Sequence, residues 1–210
     1  MKLYGYFRSS AAYRVRIGLN LKGLGVEHVP VNLLKGEQAS PEYTAINPQQ
    51  LVPALADDGT ILTQSLAILE YLEEKYPAPA LLPADAAGRA RVRALALVVA
   101  CEMHPLNNVG VLRYLTQQLG ASEAQKTAWY HHWLGKGFAA LETMLAQGAG
   151  RFCHGDTPGL ADCCLVPQVF NARRFDFDLS PYPTVLRIDD ACAQLEAFQA
   201  AHPSRQSDAA

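Results

Sequence analysis

Two short stretches carry side chains whose types and spacing suit thiol and anion chemistry. Arg8-Ser9-Ser10 stands between an apolar run, Leu3 to Phe7, and a periodic apolar stretch from Val15 to Leu24. Serines placed where a strand turns into a helix meet unpaired N–H groups and the positive end of the helix dipole, which favour negative charge. A thiolate or carboxylate held there is stabilised, and a thiol's pKa falls. Gln64-Ser65 repeats the arrangement at the start of a second helical pattern. There Ser65 and the first-turn amides can hold a carboxylate, with Gln64 adding a hydrogen bond. Each serine also reads simply as a helix cap, so neither pair decides alone.

Two further features bear on the same ligand. Val52-Pro53 precedes a short apolar strand, and in this order of elements such an X-Pro bond is commonly cis. Turned outward, the Val52 N–H and C=O can pair with an extended peptide as an added strand. The plainer reading is a proline that punctuates an edge strand. The loop around Gln38 can supply another amide contact. A carboxylate clamp, a backbone-pairing edge and a thiol-stabilising helix start together suit a short peptide thiol, and glutathione fits.

The elements that must position these residues follow from periodicity. Leu3 to Phe7 is predicted as a strand and Ala11 to Leu24 as a helix, with Gly23 and Gly25 marking its end. Glu27 to Leu33 alternates as a second strand, giving a parallel pair with a right-handed crossover. Pro41 to Ile46 reads as a short helix and Leu51 to Leu55 as a strand. Asp57-Asp58-Gly59-Thr60 is a hairpin turn, and a helix capped by Ser65 runs to about Tyr76. The order βαβ-α-ββα is that of a thioredoxin-like domain, over residues 1–80. A proline-punctuated linker, Pro77-Ala78-Pro79 and Leu82-Pro83, separates it from an all-α domain over 85–210. Four helices are expected there: Ala86 to Leu119, bent at Pro105, then Ser122 to Ala146, Leu160 to Arg173 and Thr184 to Ala200. The polar tail from His202 is expected to fray.

Composition narrows the function classes. Of 210 residues half are hydrophobic, and the net charge of −2 describes an ordinary globular chain. No basic block points to nucleic acid. Met1 to Phe7 is too short and polar for a signal peptide, and no apolar run approaches membrane-spanning length, so a cytoplasmic protein without a membrane partner is expected. The five cysteines are expected as buried free thiols, and neither they nor the six histidines stand at metal-ligand spacing, so no metal is expected.

Ser-Ser-Ala-Ala-Tyr-Arg-Val-Arg-Ile-Gly-Leu, from Ser9, resembles the Ser-Ser-Cys-x-Trp-Arg-Val-Arg-Ile-Ala-Leu signature of zeta-class glutathione transferases, the maleylacetoacetate isomerase family. The resemblance continues through Leu-Val-Pro-Ala-Leu, Gln-Ser-Leu-Ala-Ile-Leu-Glu-Tyr-Leu-Glu-Glu, His-Pro-Leu-Asn-Asn-Val-Gly-Val-Leu and Glu-Ala-Phe-Gln-x-x-His-Pro-x-Arg-Gln, almost the whole chain. Within the family it is most similar to the bacterial glutathione-dependent maleylpyruvate isomerases. The resemblance implies the glutathione transferase fold, glutathione as cofactor, a small anionic keto-diacid substrate and a homodimer. Carried over by position, Ser9 aligns with the serine that activates the thiolate. Ser10, Gln38, Val52, Pro53, Gln64 and Ser65 align with glutathione-binding positions, and His104, Asn108, Val109 and Gly110 with the remaining ligand contacts. His104 and Asn108, four apart, would share a helix face.

Two positions depart from the family. Its active-site cysteine is Ala11 here, so glutathione's own thiol must supply the nucleophile, and disulfide chemistry of the glutaredoxin kind is excluded. Gly159 replaces the usual Thr or Ser cap before Asp162, which is read as a folding element. A cis keto-diacid beside a thiolate needs cations, and arginine's planar fork suits carboxylates. Arg8 lies beside Ser9, Arg174 aligns with a family arginine facing the active site, and Arg113 is a third candidate of undetermined direction. Arg14 and Arg16 are expected as surface or salt-bridge residues within the first helix, and Arg173 as solvated. The expected reaction is cis-trans isomerisation of maleylpyruvate or maleylacetoacetate in aromatic catabolism. Rival readings are a transferase that conjugates or dehalogenates small α-halo acids, and a non-catalytic binding module of the same fold.

Overall fold

The computed structural model describes residues 1–209, which divide into two compact units. One comprises Met1–Leu81 with the segment from Ala193 onward, and the other comprises Leu82–Cys192. The proline-punctuated linker of the sequence reading lies where the chain first passes from one unit to the other. The return of the C-terminal segment to the first unit was not foreseen.

In the first unit the opening apolar run forms β1 over Lys2–Gly5, ending earlier than expected because the chain turns at Tyr6, whose carbonyl accepts from Ser9 N–H at 2.9 Å. Helix α1 spans Ser10–Leu21. Gly23, at φ +65°, lets Leu24 N–H reach the Leu19 carbonyl at 2.9 Å, a left-handed stop that glycine adopts without steric cost. Strand β2 (Glu27–Pro30) runs parallel to β1. Helix α2 covers Pro41–Ile46, strand β3 Ala54–Asp57 and strand β4 Thr60–Thr63. Asp58 and Gly59 both take positive φ in the hairpin turn, as a two-residue connection of this hand requires. The sheet order β2-β1-β3-β4, with β3 and β4 antiparallel to their neighbours, is thioredoxin-like.

Helix α3 (Ser65–Lys75) packs with α1 over one face of that sheet. Leu3, Val15, Leu19, Leu55, Ile68 and Leu72 form the core between them, and Tyr6, Val31, Tyr43 and Val52 form a second cluster. The two helices approach so closely at Gly18 that a Cβ there would lie 2.2 Å from a Leu69 methyl. Helix α1 is buried from Ala12 to Leu19, which is why its apolar periodicity reads poorly. Arg14 and Arg16 are therefore not surface residues: they are 2% and 4% exposed.

The second unit is helical. Helix α4 (Ala86–Leu97) is capped by Asp85, whose carboxylate accepts from Gly88 N–H at 2.8 Å. The single long helix expected to Leu119 is broken, not merely bent. A π-helical stretch, Val98–Met103, leads to a 3₁₀ turn at Pro105–Asn107, and α5 starts afresh at Val109, ending at Gln117. Pro105 has no N–H to continue the ladder, and Asn108 takes an extended conformation (φ −66°, ψ 149°) to cap α5. By length and mean hydropathy the run Ala86–Gln117 could cross a membrane, contrary to the sequence reading. Its breaks divide it, and Val92, Leu95, Ala96, Val99 and Met103 are buried within the protein.

Helix α6 (Glu123–Ala146) begins with a reciprocal Ser122–Gln125 capping box. Helix α7 (Leu160–Arg174) packs on α4, and α6 packs on the π-helical stretch. The last helix expected, Thr184 to Ala200, is two: α8 (Pro183–Ala193) and α9 (Glu196–Ala201), separated where Leu195 is extended. Helix α9 packs on α1, within the first unit. The tail was expected to fray, but over its described residues it is held: Gln206 Nε2 donates to the Ala200 and His202 carbonyls at 2.9 Å each, and Ala210 lies outside the described residues.

Cys153, Cys163, Cys164 and Cys192 are buried free thiols, as expected, and Cys101 is an exposed one.

Candidate active site

Strand register decides which of the candidate residues can act together. Tyr4 of β1 lies opposite Ala54 at the start of β3, and Ala54 lies opposite Thr63 at the end of β4. The loop Tyr6–Ser9, the Val52-Pro53 bend and the Gln64-Ser65 helix start therefore leave the sheet at the same end. The chain folds three separated sequence stretches into one edge.

Ser9 is the N-cap of α1, and its Oγ accepts from Ala12 N–H at 3.2 Å. The capping and thiolate readings are compatible. The cap uses an acceptor lone pair, and the hydroxyl proton remains to donate. Ser10, the first residue of α1, is buried, and Ala11 beside it is half-buried. Arg8 is held before any ligand arrives. Its Nη2 donates to Tyr6 Oη at 3.0 Å, and its guanidinium lies 5.0 Å from the Phe7 ring centre.

The Val52–Pro53 bond is cis, as expected, and β3 begins one residue later, at Ala54. Leu51 O is occupied by Tyr43 Oη and Asn47 Nδ2, each at 2.7 Å, whereas neither Val52 N–H nor Val52 C=O takes a hydrogen bond among the described residues. That is the state an added peptide strand requires.

Gln64, not Ser65, is the cap of α3, and Ser65 is its first helical residue. Gln64 adopts φ +66°, an uncommon backbone for a non-glycine residue and one that clusters at functional sites. Its Nε2 donates to Gln49 Oε1 at 2.9 Å. Ser65 Oγ accepts from Arg14 Nη1 at 3.2 Å, so its own proton points elsewhere. Gln38 lies in the 3₁₀ turn Glu37–Ala39, and its Oε1 is enclosed with no hydrogen-bond partner among the described residues. An enclosed unpaired acceptor calls for a donor. An edge with an open backbone pair, a hydroxyl donor at a helix start and an unpaired amide oxygen fits a peptide thiol with carboxylates.

The arginines missed by the sequence reading are structural parts of this end of the sheet. Arg16 donates from Nε to Ala201 O at 3.0 Å and from Nη2 to Phe7 O at 2.9 Å. Burial pulls its pKa down to about 10, which leaves it charged at neutral pH. The signal available was an arginine pair set among Tyr13, Val15 and Ile17, an apolar setting that a solvated charge does not need.

In the second unit His104 ends the π-helical stretch and Asn108 caps α5, its Oδ1 accepting from Gly110 N–H at 2.9 Å. They do not share a helix face, because the backbone leaves the helix between them. Val109 is exposed, as are Gly110 and Arg113. Arg174 ends α7, with Nη1 donating to Asn171 Oδ1 at 3.0 Å and its guanidinium near the Phe170 and Phe175 rings. Arg173 is exposed, as expected, and its Nη1 donates to the buried Asp189 at 2.6 Å. Asp162 is buried and accepts from Cys153 N–H at 2.9 Å and Gly159 N–H at 2.8 Å, which supports the folding role read from the sequence. Burial raises its pKa, against the lowering effect of those hydrogen bonds.

A thioredoxin-like unit with a serine at the start of its first helix, joined to an all-helical unit, defines the glutathione transferase class of proteins. Family models for the glutathione S-transferase N-terminal and C-terminal domains match residues 3–80 and 127–202. The chain belongs to the glutathione S-transferase family, in the zeta class that includes the maleylacetoacetate isomerases. It is 53% identical to a maleylpyruvate isomerase from Ralstonia sp, over 100% of both chains. It is 52% identical to a maleylacetoacetate isomerase from Rhizobium meliloti, over 97% of this chain and 96% of that one. Among solved structures, a holo maleylpyruvate isomerase, described as a bacterial zeta-class transferase, superposes with a TM-score of 0.98 at 53% identity over 100% of both chains. A maleylacetoacetate isomerase from Anaeromyxobacter dehalogenans, solved with dicarboxyethyl glutathione and citrate in its active site, gives 0.89 at 52% identity, covering 100% of this chain and 97% of that one.

Proposed function

We propose that the protein is a glutathione-dependent cis-trans isomerase that converts maleylpyruvate, or the homologous maleylacetoacetate, to the trans (fumaryl) isomer. The observation that carries the reading is the common sheet edge at which Ser9, Val52 and Ser65 emerge, each with a group left to bind. Glutathione would be held by Val52 as an added strand, by Ser65 and Gln64 at the start of α3, and by Gln38, with Ser10 and Pro53 shaping the edge. His104, Asn108, Val109 and Gly110 are further candidates on the strength of the resemblance. When bound, glutathione supplies a thiol that can add reversibly to a conjugated cis double bond and leave after rotation about the resulting single bond.

The chain's own residues account for the rest. Ser9 donates its hydroxyl proton to the sulfur and, with the α1 dipole, favours the thiolate. Arg8, fixed over Phe7 beside Ser9, offers a planar fork to a substrate carboxylate and to negative charge developing on the keto acid. Arg174 and Arg113 are proposed as further carboxylate partners. Ala11 leaves the turn without a second nucleophile. The reading also takes the protein as a cytoplasmic homodimer, as the family resemblance implies. Incubation with maleylpyruvate, with and without glutathione, tests it: turnover should require glutathione, and turnover indifferent to glutathione would overturn it. Comparison of kcat/KM on the two substrates then assigns the preferred one, for which maleylpyruvate is our choice.

A further inference from the structure

The Phe7 peptide, which leads into Arg8 and Ser9, is held from both sides by groups far away in sequence. Its N–H donates to Asp208 Oδ2 at 2.9 Å. Its C=O accepts from Arg16 Nη2 at 2.9 Å, and the same guanidinium donates from Nε to Ala201 O of α9 at 3.0 Å. All these residues belong to the first unit. Phe7 lies just beyond β1, so its peptide has no ladder partner from the sheet. The tail that brings Asp208 here is itself fixed, by Gln206 on the Ala200 and His202 carbonyls and by the 3₁₀ turn Pro203–Arg205. It borders an open pocket of about 180 Å³ beside β1 and β2, with Arg16, His28 and Asp208 in its wall. Asp208 and Arg16 are opposite charges at this place; burial lowers the Arg16 pKa, and Tyr13 and then Asp208 raise it.

We infer that Asp208 and Arg16 form a clamp on the Phe7 peptide, by which the C-terminal tail positions the Arg8–Ser9 loop for thiol chemistry. This rests on the function proposed above, and Asp208 is a positioning residue, since it reaches the site only through the backbone. With the peptide fixed, the Ser9 hydroxyl and the Arg8 fork hold one position relative to the start of α1. Without Asp208 the Phe7 N–H loses its acceptor and the turn gains freedom. Reactions that depend on placement within an ångström are sensitive to such freedom. Acceptance of the N–H needs only a side-chain oxygen, so an asparagine amide can substitute for the carboxylate.

Asp208→Ala, Asp208→Asn and a chain ending at Gln206 test the clamp. Asp208→Ala and the shortened chain should lower kcat about tenfold, with the KM for glutathione changed less than about threefold, and should raise the thiol pKa of bound glutathione. Asp208→Asn should restore most of kcat. Hydrogen exchange of the Phe7 amide, measured without glutathione, should speed up about fivefold in Asp208→Ala. Unchanged exchange, unchanged kcat in Asp208→Ala, or an Asp208→Asn as damaged as Asp208→Ala would each overturn the clamp. Failure of the unaltered protein to use glutathione would instead overturn the proposed function, and the exchange measurement would still decide whether the clamp exists.

Discussion

Ser9 has two roles on one oxygen, and they can be separated. Ser9→Ala removes the cap, at about 1 kcal/mol, a Tm decrease of about 2–4 °C for a chain of this size. It also removes the donor to the sulfur, so kcat/KM should fall about 100-fold and the thiol pKa of bound glutathione should rise, read from thiolate absorbance against pH. A loss of stability without the thiol shift would reduce Ser9 to a cap. Ser65 makes a contrasting case. Its Oγ is aligned by Arg14, so Ser65→Ala should raise the KM for glutathione about tenfold with kcat within about twofold. At this scale the sequence was informative where chemistry demands a residue type: the serines, Val52-Pro53 and Ala11. It misled for Arg14 and Arg16. A cation bonded to carbonyls or to a hydroxyl inside the fold has the same letter as one in water, and only the packing around α1 distinguishes them.

Elements were legible to the extent that local rules govern them. The hairpin at Asp58-Gly59, the Ser122–Gln125 box and the βαβ unit follow from turn, cap and period signals. The break between α4 and α5 has no single local signal, because a lone proline signals a bend and Asn108 alone a helix face, whereas together they stop one helix and cap another. Two elements offer stability tests. Lys22 Nζ, fully buried, donates to Glu73 Oε2 at 2.9 Å, Tyr76 O at 2.6 Å and Pro79 O at 2.9 Å, and so ties the end of α1 to the end of α3. Lys22→Ala removes the ammonium from a buried carboxylate and should cost about 3–5 kcal/mol in denaturant melts. A cost below about 1 kcal/mol would show the pair to be dispensable. Asp162→Ala leaves a buried and a half-buried N–H group without their acceptor, and a loss of about 3 kcal/mol is expected, a Tm shift of roughly 6–12 °C.

For the whole molecule, a proline linker near Leu81 has a local signal in the sequence, and the return of the tail has none. A polar C-terminal stretch gives no periodic signal, and its anchoring depends on Phe7, two hundred residues earlier in the chain. Global stability carries a pH signature from the sheet. The Lys75 ammonium, bonded to Asp57 at 2.7 Å, holds the Asp57 carboxyl below the usual range. Its contribution is present above the ordinary carboxylate pKa and is lost as pH falls through the lowered value. Asp57→Asn should therefore lower Tm at neutral pH and flatten its decline in acid. Equal slopes for both proteins would contradict that assignment.

In the proposed function glutathione is a returning cofactor acting on a cis keto-diacid. NMR of a reaction containing excess maleylpyruvate and substoichiometric glutathione measures both partners at once. Complete conversion to the trans isomer over many turnovers is expected, with the free glutathione signal undiminished at the end. Glutathione consumed one for one with substrate, or conversion that stops when glutathione is exhausted, would contradict it.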